Sequence, residues 1–435
     1  MNSHFRIIDF GKKNLDNTID NLSQWMENEL FKSFDYFDIK TSPIGLWFER
    51  HNQSILKIPY LGLNYLDYYH PNFMRMQTKK TISATTIALY TTSQFLRYQQ
   101  TGDQKYIGKG VRQLRWLENN ASRGYSGYCW GLPFPWQLPE GLLVQSSTPC
   151  STIIIYMLDA FLHGFKITGN AEYLDVAVST AEFFLNDLNV HTCDDDSICL
   201  SYTPLDSFQV INVNAYAAAT LYTIYQFSRD QDLKDYADRL IQFVLNEQNE
   251  DGSWYYWAEN QRKNYIIDSL HQCYIIENLY RCHRIIQNPQ IISSVKRALK
   301  FFKTTFFLDG KILKREEEKG KIFGKKFKYP VELIDQAESL KMYVLLQDDF
   351  STNREMEQVF EYCMNVFKIP EKPYFYSYMI DEKKFDIPYM RWGQSQILHA
   401  LTVFNSKKYF HLNYNDIIPL APFSEMYMYP NSQGI

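Results

Sequence analysis

The chain repeats one pattern, in which a helix-length stretch with few or no charges is followed by a stretch that is charged on one side and apolar on the other. Residues 82–96 carry no charge, whereas residues 103–120 are amphipathic. The turn that joins them, at residues 95–106, recurs at residues 161–173. This alternation predicts an inner helix that is buried on all sides, followed by an outer helix with one solvent face.

The predicted inner helices begin near residues 82, 151, 212, 268, 334 and 393, a period of about 60 residues. Residues 82–96, 212–227 and 393–404 carry no charge, and residues 151–165 carry only Asp159. Helix pairs that recur at such a spacing are typical of a solenoid or a closed ring. An open solenoid would leave one surface of the uncharged helices in water, so closure is favoured. The predicted fold is an all-α (α/α)6 toroid, or six-hairpin barrel, formed by residues 81–435 as one closed unit.

The first 80 residues show the pattern least clearly. One amphipathic helix is predicted near residues 15–34, and an aromatic stretch follows it through residues 46–48 and 65–69. We expect this N-terminal extension to pack on the ring and to help close the circle of repeats.

Composition argues against several classes of partner. The net charge is −4 with both signs interspersed, which offers no basic surface for nucleic acid or an anionic membrane. No uncharged apolar run approaches the ~18 residues of a membrane span, and no signal peptide is recognised, so a cytoplasmic location is expected. The seven cysteines are scattered without C-x-x-C spacing, which argues against disulfides and a zinc ribbon. We predict neither a cofactor nor a bound metal, and the oligomeric state stays open.

Polar residues stand where the predicted inner helices begin. If these helices run parallel, as a toroid requires, their first residues converge on one mouth, where six helix N-termini would favour an anionic ligand. The alternative is that the short polar residues are simply N-caps, with Asp268 and His271 a cap and a buried histidine. The residues concerned are Ser151, Thr152, Asn212, Asn214, Asp268, His271, Asp335, Glu338 and Arg391.

Four of these residues are candidates for catalysis: Asp268, His271, Asp335 and Arg391. Carboxylates suit general acid/base work, a histidine titrates near neutral pH, and a glycosidase needs two carboxylates at a defined separation. An epimerase or lyase for a uronic acid would instead need a base, such as a histidine or a tyrosine, and a cation such as Arg391. The sequence leaves these reactions open.

Long aromatic connections precede the inner helices. Connections longer than packing requires are usually functional. Their rings could stack on sugar faces, and ordinary core packing is the alternative. Together with polar residues at the helix starts, they supply the substrate-binding candidates Trp136, Tyr202, Asn212, Asn214, Trp254, Tyr376 and Trp392.

Residues 248–254 match the Q-x-x-D-G-S-W repeat of squalene and terpene cyclases, which are also α/α toroids. Cys193 stands where the D-x-D-D proton donor of class II cyclases would begin. The chain also resembles bacterial toroid proteins of surface-polysaccharide gene clusters, which are prenyltransferase/squalene-oxidase-repeat-like or six-hairpin-glycosidase-like. This resemblance implies a role in surface-polysaccharide biosynthesis or modification, and it is carried by residues 131–137, 200–206, 213–215, 267–271 and 389–394.

Three functions follow as hypotheses. The leading one is an enzyme that epimerises, eliminates from or hydrolyses a glycan or lipid-linked sugar in the central cavity. The second is a terpenoid cyclase or prenyl-handling protein, which needs an apolar cavity with an acidic proton donor. The third is a non-catalytic glycan-binding scaffold. The first requires that Asp268, His271 and Arg391 line one open cavity, and it fails if His271 is sealed in the core.

Overall fold

The computed structural model describes residues 11–36, 41–51, 57–75, 78–138, 142–261, 266–315, 319–322 and 325–421. The outer ends of the predicted N-terminal extension and toroid unit, before residue 11 and after residue 421, lie outside these residues. The chain begins with α1 (Lys12–Asn28), α2 (Pro43–Arg50), α3 (Lys57–Tyr69) and α4 (Pro71–Met74). The helix predicted near residues 15–34 therefore ends at Asn28. Leu30 and Phe31 follow it with φ of 53° and 57°, a conformation that a right-handed helix cannot continue.

Helices of the ring then alternate between inner and outer positions. The inner helices are the odd-numbered α5 to α15, and the outer ones are the even-numbered α6 to α14. Their bounds, with those of the short last helix, are α5 (Ala84–Thr101), α6 (Lys105–Asn119), α7 (Ile154–Thr168), α8 (Ala171–Asn186), α9 (Ile211–Ser228), α10 (Gln231–Asn246), α11 (Ser269–Ile286), α12 (Pro289–Thr305), α13 (Leu333–Phe350), α14 (Asn353–Tyr362), α15 (Ser395–Phe410) and α16 (Tyr414–Ile417).

Helix contacts close the ring. Each inner helix packs against the next one in sequence, and α15 packs against α5. Helix α1 packs on α15, where a sixth outer helix belongs. Asp16 of α1 lies 2.5 Å from Arg97 of α5 and accepts a hydrogen bond from Asn405 of α15 at 3.0 Å. The prediction of an (α/α)6 toroid is confirmed.

Burial follows the pattern read from the sequence. Every residue from 211 to 224 on inner helix α9 is buried. On its outer partner α10 the buried residues form one stripe, which includes Leu233, Ala237, Leu240 and Val244. The core of this protein therefore lies between the inner and outer layers of helices. Burial of apolar surface there stabilises the fold by roughly 25 cal/mol per Å².

Short strands lie in the connections between the helical hairpins. Antiparallel pairs join β1 to β2, β3 to β4, β5 to β6 and β7 to β8, and β10 lies between β9 and β11. The strands are β1 (Trp136–Gln137), β2 (Leu143–Val144), β3 (Val190–Thr192), β4 (Ile198–Leu200), β5 (Phe307–Leu308), β6 (Lys311–Ile312), β7 (Lys319–Ile322), β8 (Lys325–Lys328), β9 (Val331–Glu332), β10 (Tyr378–Ile380) and β11 (Lys383–Phe385).

A buried amide side chain near the start of four inner helices ties each helix to the connection that precedes it. Gln272 of α11 accepts a hydrogen bond from the N–H of Trp254 at 3.0 Å and donates one to its carbonyl at 2.8 Å. We call these residues the amide clamps. The other clamps, each with the residue it holds, are Gln336 with Ile312, Gln394 with Phe375 and Asn214 with Leu200.

The end of the ring where the inner helices finish is covered by α16 and the residues up to Leu420. His163, deep on α7, hydrogen-bonds the carbonyl of Ile417 at 3.0 Å, and Lys166 pairs with Asp416 at 3.1 Å. Space for a ligand is therefore left at the opposite end, where the inner helices begin. Among the residues described, no helix is long and apolar enough to cross a membrane.

Candidate active site

A cavity of about 570 Å³ lies at the end of the ring where the inner helices begin. Its volume is within the range of small-molecule sites. All six inner helices contribute to its wall near their first residues, through Thr85, Thr152, Asn212, His271, Ile334 and Gln396. The connections add the aromatic residues Phe134, Trp136, Tyr202, Phe208, Tyr256, Trp257 and Trp392. The inner helices are thus arranged around one mouth.

Asp268 and His271 form a hydrogen-bonded pair in the cavity wall. Asp268 precedes α11, and its Oδ1 accepts the backbone N–H of His271 at 3.0 Å, which makes it the helix N-cap. The Nδ1 atom of His271 lies 2.8 Å from Oδ1 and 2.7 Å from Oδ2 of the same carboxylate. Nε2 has no hydrogen-bond partner among the described residues, and 28% of the side chain is exposed. Nε2 is therefore the ring nitrogen that can reach a ligand.

The carboxylate of Asp268 stays charged although it is buried. Burial alone would raise its pKa, but the charge and hydrogen bonds of His271 outweigh burial and lower the pKa below its usual range. A carboxylate on Nδ1 fixes the ring tautomer and stabilises the imidazolium that forms when Nε2 takes a proton. The pair can therefore act as a general base and then as a general acid.

Arg391 lines the same cavity, but its charge is compensated. Its Nε and one terminal nitrogen each lie 2.6 Å from the two carboxylate oxygens of Asp35, which is 4% exposed. The guanidinium also lies over the ring of Trp392, whose Nε1 donates to Glu332 at 3.1 Å. A bidentate pair of this kind fixes the wall of the site more than it supplies a free cation.

Asp335, the fourth catalytic candidate, lies on α13 behind the wall and is not among the described residues that line the cavity. It is 1% exposed, and neither carboxylate oxygen has a hydrogen-bond partner. Burial, together with the charge of Glu332, raises the pKa of Asp335 well above its usual range. The raised pKa favours the neutral form of this carboxyl group, and its position separates it from the cavity surface.

Four of the seven substrate-binding candidates line the cavity: Trp136, Tyr202, Asn212 and Trp392. The hydroxyl of Tyr202 lies 3.1 Å from Thr152, and its ring meets that of Trp136 edge to face at 5.7 Å. Nε1 of Trp136 and Oδ1 of Asn212 are buried without a hydrogen-bond partner. Such atoms need a partner, which a ligand in the cavity can supply.

The other three candidates are not brought to the cavity among the described residues. Asn214 is fully buried and holds Leu200 as an amide clamp. Trp254 is also fully buried and donates from Nε1 to the carbonyl of Val244 at 2.8 Å. Tyr376 packs beneath Lys384, whose Nζ lies 5.3 Å from the ring centre. Packing and backbone pairing explain these three side chains.

The catalytic and binding candidates omitted one charged residue of the wall, Arg315. It stands in a segment rich in lysine and glutamate at residues 311–321, a composition typical of a solvated loop. Its place in the site arises from a backbone bridge to Asp268, for which the sequence contains no signal. The ring of Tyr256, another wall residue, meets His271 edge to face at 4.7 Å.

Comparisons with known proteins bear on the fold. No protein-family model matches the chain, and no curated protein matches it. Solved structures do match. A cellobiose 2-epimerase from Bacillus thermoamylovorans has a TM-score of 0.57 at 12% identity, over 75% of this chain and 88% of its own.

Two further structures match over similar lengths. An unsaturated glucuronyl hydrolase from a Bacillus species has a TM-score of 0.58 at 9% identity, over 92% of this chain and 97% of its own. A GH76 α-mannanase from Bacteroides thetaiotaomicron has a TM-score of 0.58 at 10% identity, over 78% of this chain and 90% of its own. At these identities the similarity establishes architecture: the chain has the (α/α)6 toroid fold of these six-hairpin glycosidase-like proteins.

Proposed function

We propose that this protein is a carbohydrate-processing enzyme in which Nε2 of His271, held by Asp268, transfers a proton to and from a sugar in the central cavity. One observation carries the proposal. Nδ1 of His271 is occupied by both oxygens of an ionised carboxylate, while Nε2 lies at the cavity without a partner among the described residues. A histidine held in this way is suited to general acid/base catalysis.

The lining of the cavity supports a sugar as the ligand. Aromatic rings such as those of Trp136 and Trp392 offer apolar faces for stacking. Several wall residues carry buried polar atoms that lack a partner, and sugar hydroxyls can both donate to and accept from such atoms. These atoms are Oγ1 of Thr85, Nε1 of Trp136, Nε2 of Gln137, Oδ1 of Asn212 and Nε of Arg315. The sugar epimerases, glucuronyl hydrolase and mannanase among the structural neighbours agree with this class.

Epimerisation or elimination fits the described wall better than hydrolysis does. Two-carboxylate hydrolysis needs a second acid facing the scissile bond. Asp268 is the single carboxylate among the described residues that line the cavity, and both of its oxygens contact His271. The same pairing fits poorly with a terpenoid cyclase, whose proton donor has to be an acid that faces an apolar cavity. The narrower role in bacterial surface-polysaccharide biosynthesis, on a glycan or lipid-linked sugar, rests on the sequence resemblance.

Solvent-deuterium incorporation tests the proposal. The wild-type protein and His271→Gln would be incubated in D2O with a panel of neutral and acidic mono- and disaccharides. Carbon-bound deuterium would be followed by NMR, unsaturated products by ultraviolet absorbance, and new reducing ends by a colorimetric assay. We expect deuterated or unsaturated sugar from the wild type and a loss of about 100-fold or more in the variant.

The opposite results are equally clear. If reducing ends are released and no carbon position gains deuterium, the protein is a hydrolase, and the proposed proton transfer at carbon is wrong. Equal rates in the wild type and His271→Gln would exclude His271 as the group that moves the proton. Because the side chain of His271 is partly exposed, we expect His271→Gln to keep the fold. Unfolding curves of the two proteins check this.

A further inference from the structure

Arg315 stands out among the charged residues of the cavity wall because its charge has no counterion in the described structure. Arg391 is paired with Asp35, and Lys314 is paired with Glu332. Arg315 makes neither an ion pair nor a hydrogen bond to any described side chain. Its guanidinium carbon lies 4.9 Å from the ring centre of Tyr329, and its Nε is buried without a partner. A partly buried, unpaired cation is costly unless an anion completes it.

The backbone places this cation beside the acid/base pair. Residues 268 and 315 form an antiparallel bridge, and the N–H of Ser269 donates to the carbonyl of Lys314 at 3.1 Å. Both Arg315 and His271 line the cavity. An anion held by Arg315 would therefore sit close to the atom on which Nε2 of His271 acts.

The partial charges of the helix N-termini at this mouth also favour an anionic ligand. Of the six inner helices, only α11 has an N-cap side chain that accepts a first-turn N–H. Outer helices α8, α10 and α12, by contrast, are capped by Asn170, Asp230 and Asn288. Helix N-termini without such a cap side chain keep the partial positive charge of the helix dipole. The one carboxylate in the described wall, Asp268, has both oxygens in contact with Nδ1 of His271.

We propose that the sugar carries one anionic group, a carboxylate of the uronate kind, and that Arg315 binds it. This proposal rests on the function proposed above and names its substrate class. A carboxylate is favoured over a phosphate, because a single unpaired guanidinium matches one negative charge and its planar fork matches two carboxylate oxygens.

The arrangement gives the cation a part in the reaction. Nε2 of His271 takes the proton from the carbon that bears the carboxylate, and the electron pair of the broken C–H bond moves into the carboxylate held by Arg315. If a water molecule delivers a proton to the opposite face of that carbon and the resulting hydroxide takes the proton from His271, the centre is inverted. If the oxygen substituent on the next carbon leaves with the bonding pair and takes a proton, a double bond forms. Either course is balanced without an added oxidant or metal.

Binding measurements with three probes test the proposal. D-glucuronate, D-glucose and D-glucose 6-phosphate would be titrated calorimetrically into the wild type, Arg315→Gln, Arg315→Lys and Arg354→Gln. Arg354 is exposed on outer helix α14 and serves as the matched control. We expect the wild type and Arg354→Gln to bind glucuronate about tenfold or more tightly than glucose, as a charge-assisted hydrogen bond predicts.

Arg315→Gln should lose that preference, whereas Arg315→Lys should keep part of it and shows that the site still folds. Added salt should weaken glucuronate binding to the wild type more than glucose binding. A preference for glucuronate that survives in Arg315→Gln would overturn the proposal. So would a wild type that binds glucose equally well, or one that prefers glucose 6-phosphate to glucuronate.

The binding and deuterium results for the wild type together separate this proposal from the one on which it rests. If the wild type binds glucuronate through Arg315 but no carbon-bound deuterium appears in any sugar, the assignment of Arg315 stands and the function proposed for His271 fails. If glucuronate fails to bind the wild type while deuterium still enters neutral sugars, the assignment of Arg315 fails and the function proposed for His271 stands.

Discussion

Asp268 has two roles at once, and the two readings that the sequence offered for it are compatible. As the N-cap of α11 it accepts the backbone N–H of His271, and as the partner of Nδ1 it holds the imidazole. The spacing of three residues produces both contacts, since the cap side chain reaches back over the first turn. A residue that fixes a helix start and a base together ties the stability of α11 to the geometry of the site.

Asparagine at this position should separate the two roles. Asp268→Asn keeps a preferred N-cap but removes the negative charge, so we expect nearly wild-type stability and a loss of about 100-fold or more in proton exchange. Asp268→Ala removes both, and should in addition lower the free energy of unfolding by about 1 kcal/mol. Urea unfolding and the D2O assay measure the two effects. Wild-type exchange in Asp268→Asn would reduce Asp268 to a cap.

Individual residues of the site could be predicted only as far as helix starts could be read. Asp268, His271, Asn212 and Arg391 stand at inner-helix starts, and the structure places all four at one mouth. Asn212 and Asn214 are both uncharged polar residues in the first turn of α9, but one lines the cavity and the other is a clamp. The difference depends on which face of α9 meets strand β4, and this is a tertiary contact.

At the scale of elements, one segment that resembles a functional motif in the sequence has the structural role of joining two repeats. In the Q-x-x-D-G-S-W segment, Gln248 donates to the carbonyls of Gly252 and Ser294. Gly252 has φ of 96°, and a Cβ there would lie 2.6 Å from the backbone of Arg297. The segment therefore fixes a connection onto outer helix α12. It is a structural joint of the toroid, which explains why it occurs here without the cyclase proton donor.

The amide clamps allow a prediction for the same scale. Gln336→Leu keeps the approximate side-chain volume but leaves the N–H and carbonyl of Ile312 buried and unpaired, so we expect a loss of about 2–4 kcal/mol in the free energy of unfolding. Gln242→Leu, on the exposed face of α10, is the matched control and should change it by less than about 0.5 kcal/mol. Urea denaturation followed by circular dichroism measures both. Equal effects in the two variants would show that the clamp adds no stability.

Over the whole molecule, the ring could be predicted from the sequence because long stretches with few or no charges, such as residues 82–96, 212–227 and 393–404, are a strong local signal. The sequence also indicates that the N-terminal extension packs on the ring, but it does not predict the place of α1 beside α15, because this pairing depends on contacts between distant segments, such as Asp16 with Arg97 and Asn405. Nothing local in residues 12–28 distinguishes an outer helix of the ring from a separate amphipathic extension. We propose that α1 supplies the sixth outer helix and belongs to the ring it completes.

The centre of the ring contains a cluster of ionisable side chains that spans α11 and α13. Lys341 lies 3.2 Å from Glu277 and 2.8 Å from Glu338, beneath Tyr156, Tyr216 and Tyr274 at the floor of the cavity. One lysine cannot fully compensate two buried carboxylates. Burial therefore raises the pKa of Glu277 to about 7, with repulsion from Glu338 acting in the same direction and the charges of Lys341 and Arg281 acting against it.

The cluster makes the stability of the whole ring depend on pH. A carboxyl whose pKa is raised on folding binds its proton more tightly in the folded state, so folding is favoured below the unfolded pKa of about 4.3 and loses stability as pH rises to about 7. Glu277→Gln removes that loss and leaves Lys341 paired with Glu338. We expect the variant to gain a few kcal/mol over the wild type across this interval, on the order of 1.4 kcal/mol per pH unit, with no further gain above it. Urea unfolding of both proteins between pH 4 and 9 measures the difference in the free energy of unfolding. Lys341→Met is the control in the opposite direction, because it leaves the two carboxylates without a counterion and should lower the free energy of unfolding by about 3–5 kcal/mol near neutral pH. A difference that stays constant with pH, or that favours the wild type as pH rises, would show that Glu277 is charged in the folded ring throughout.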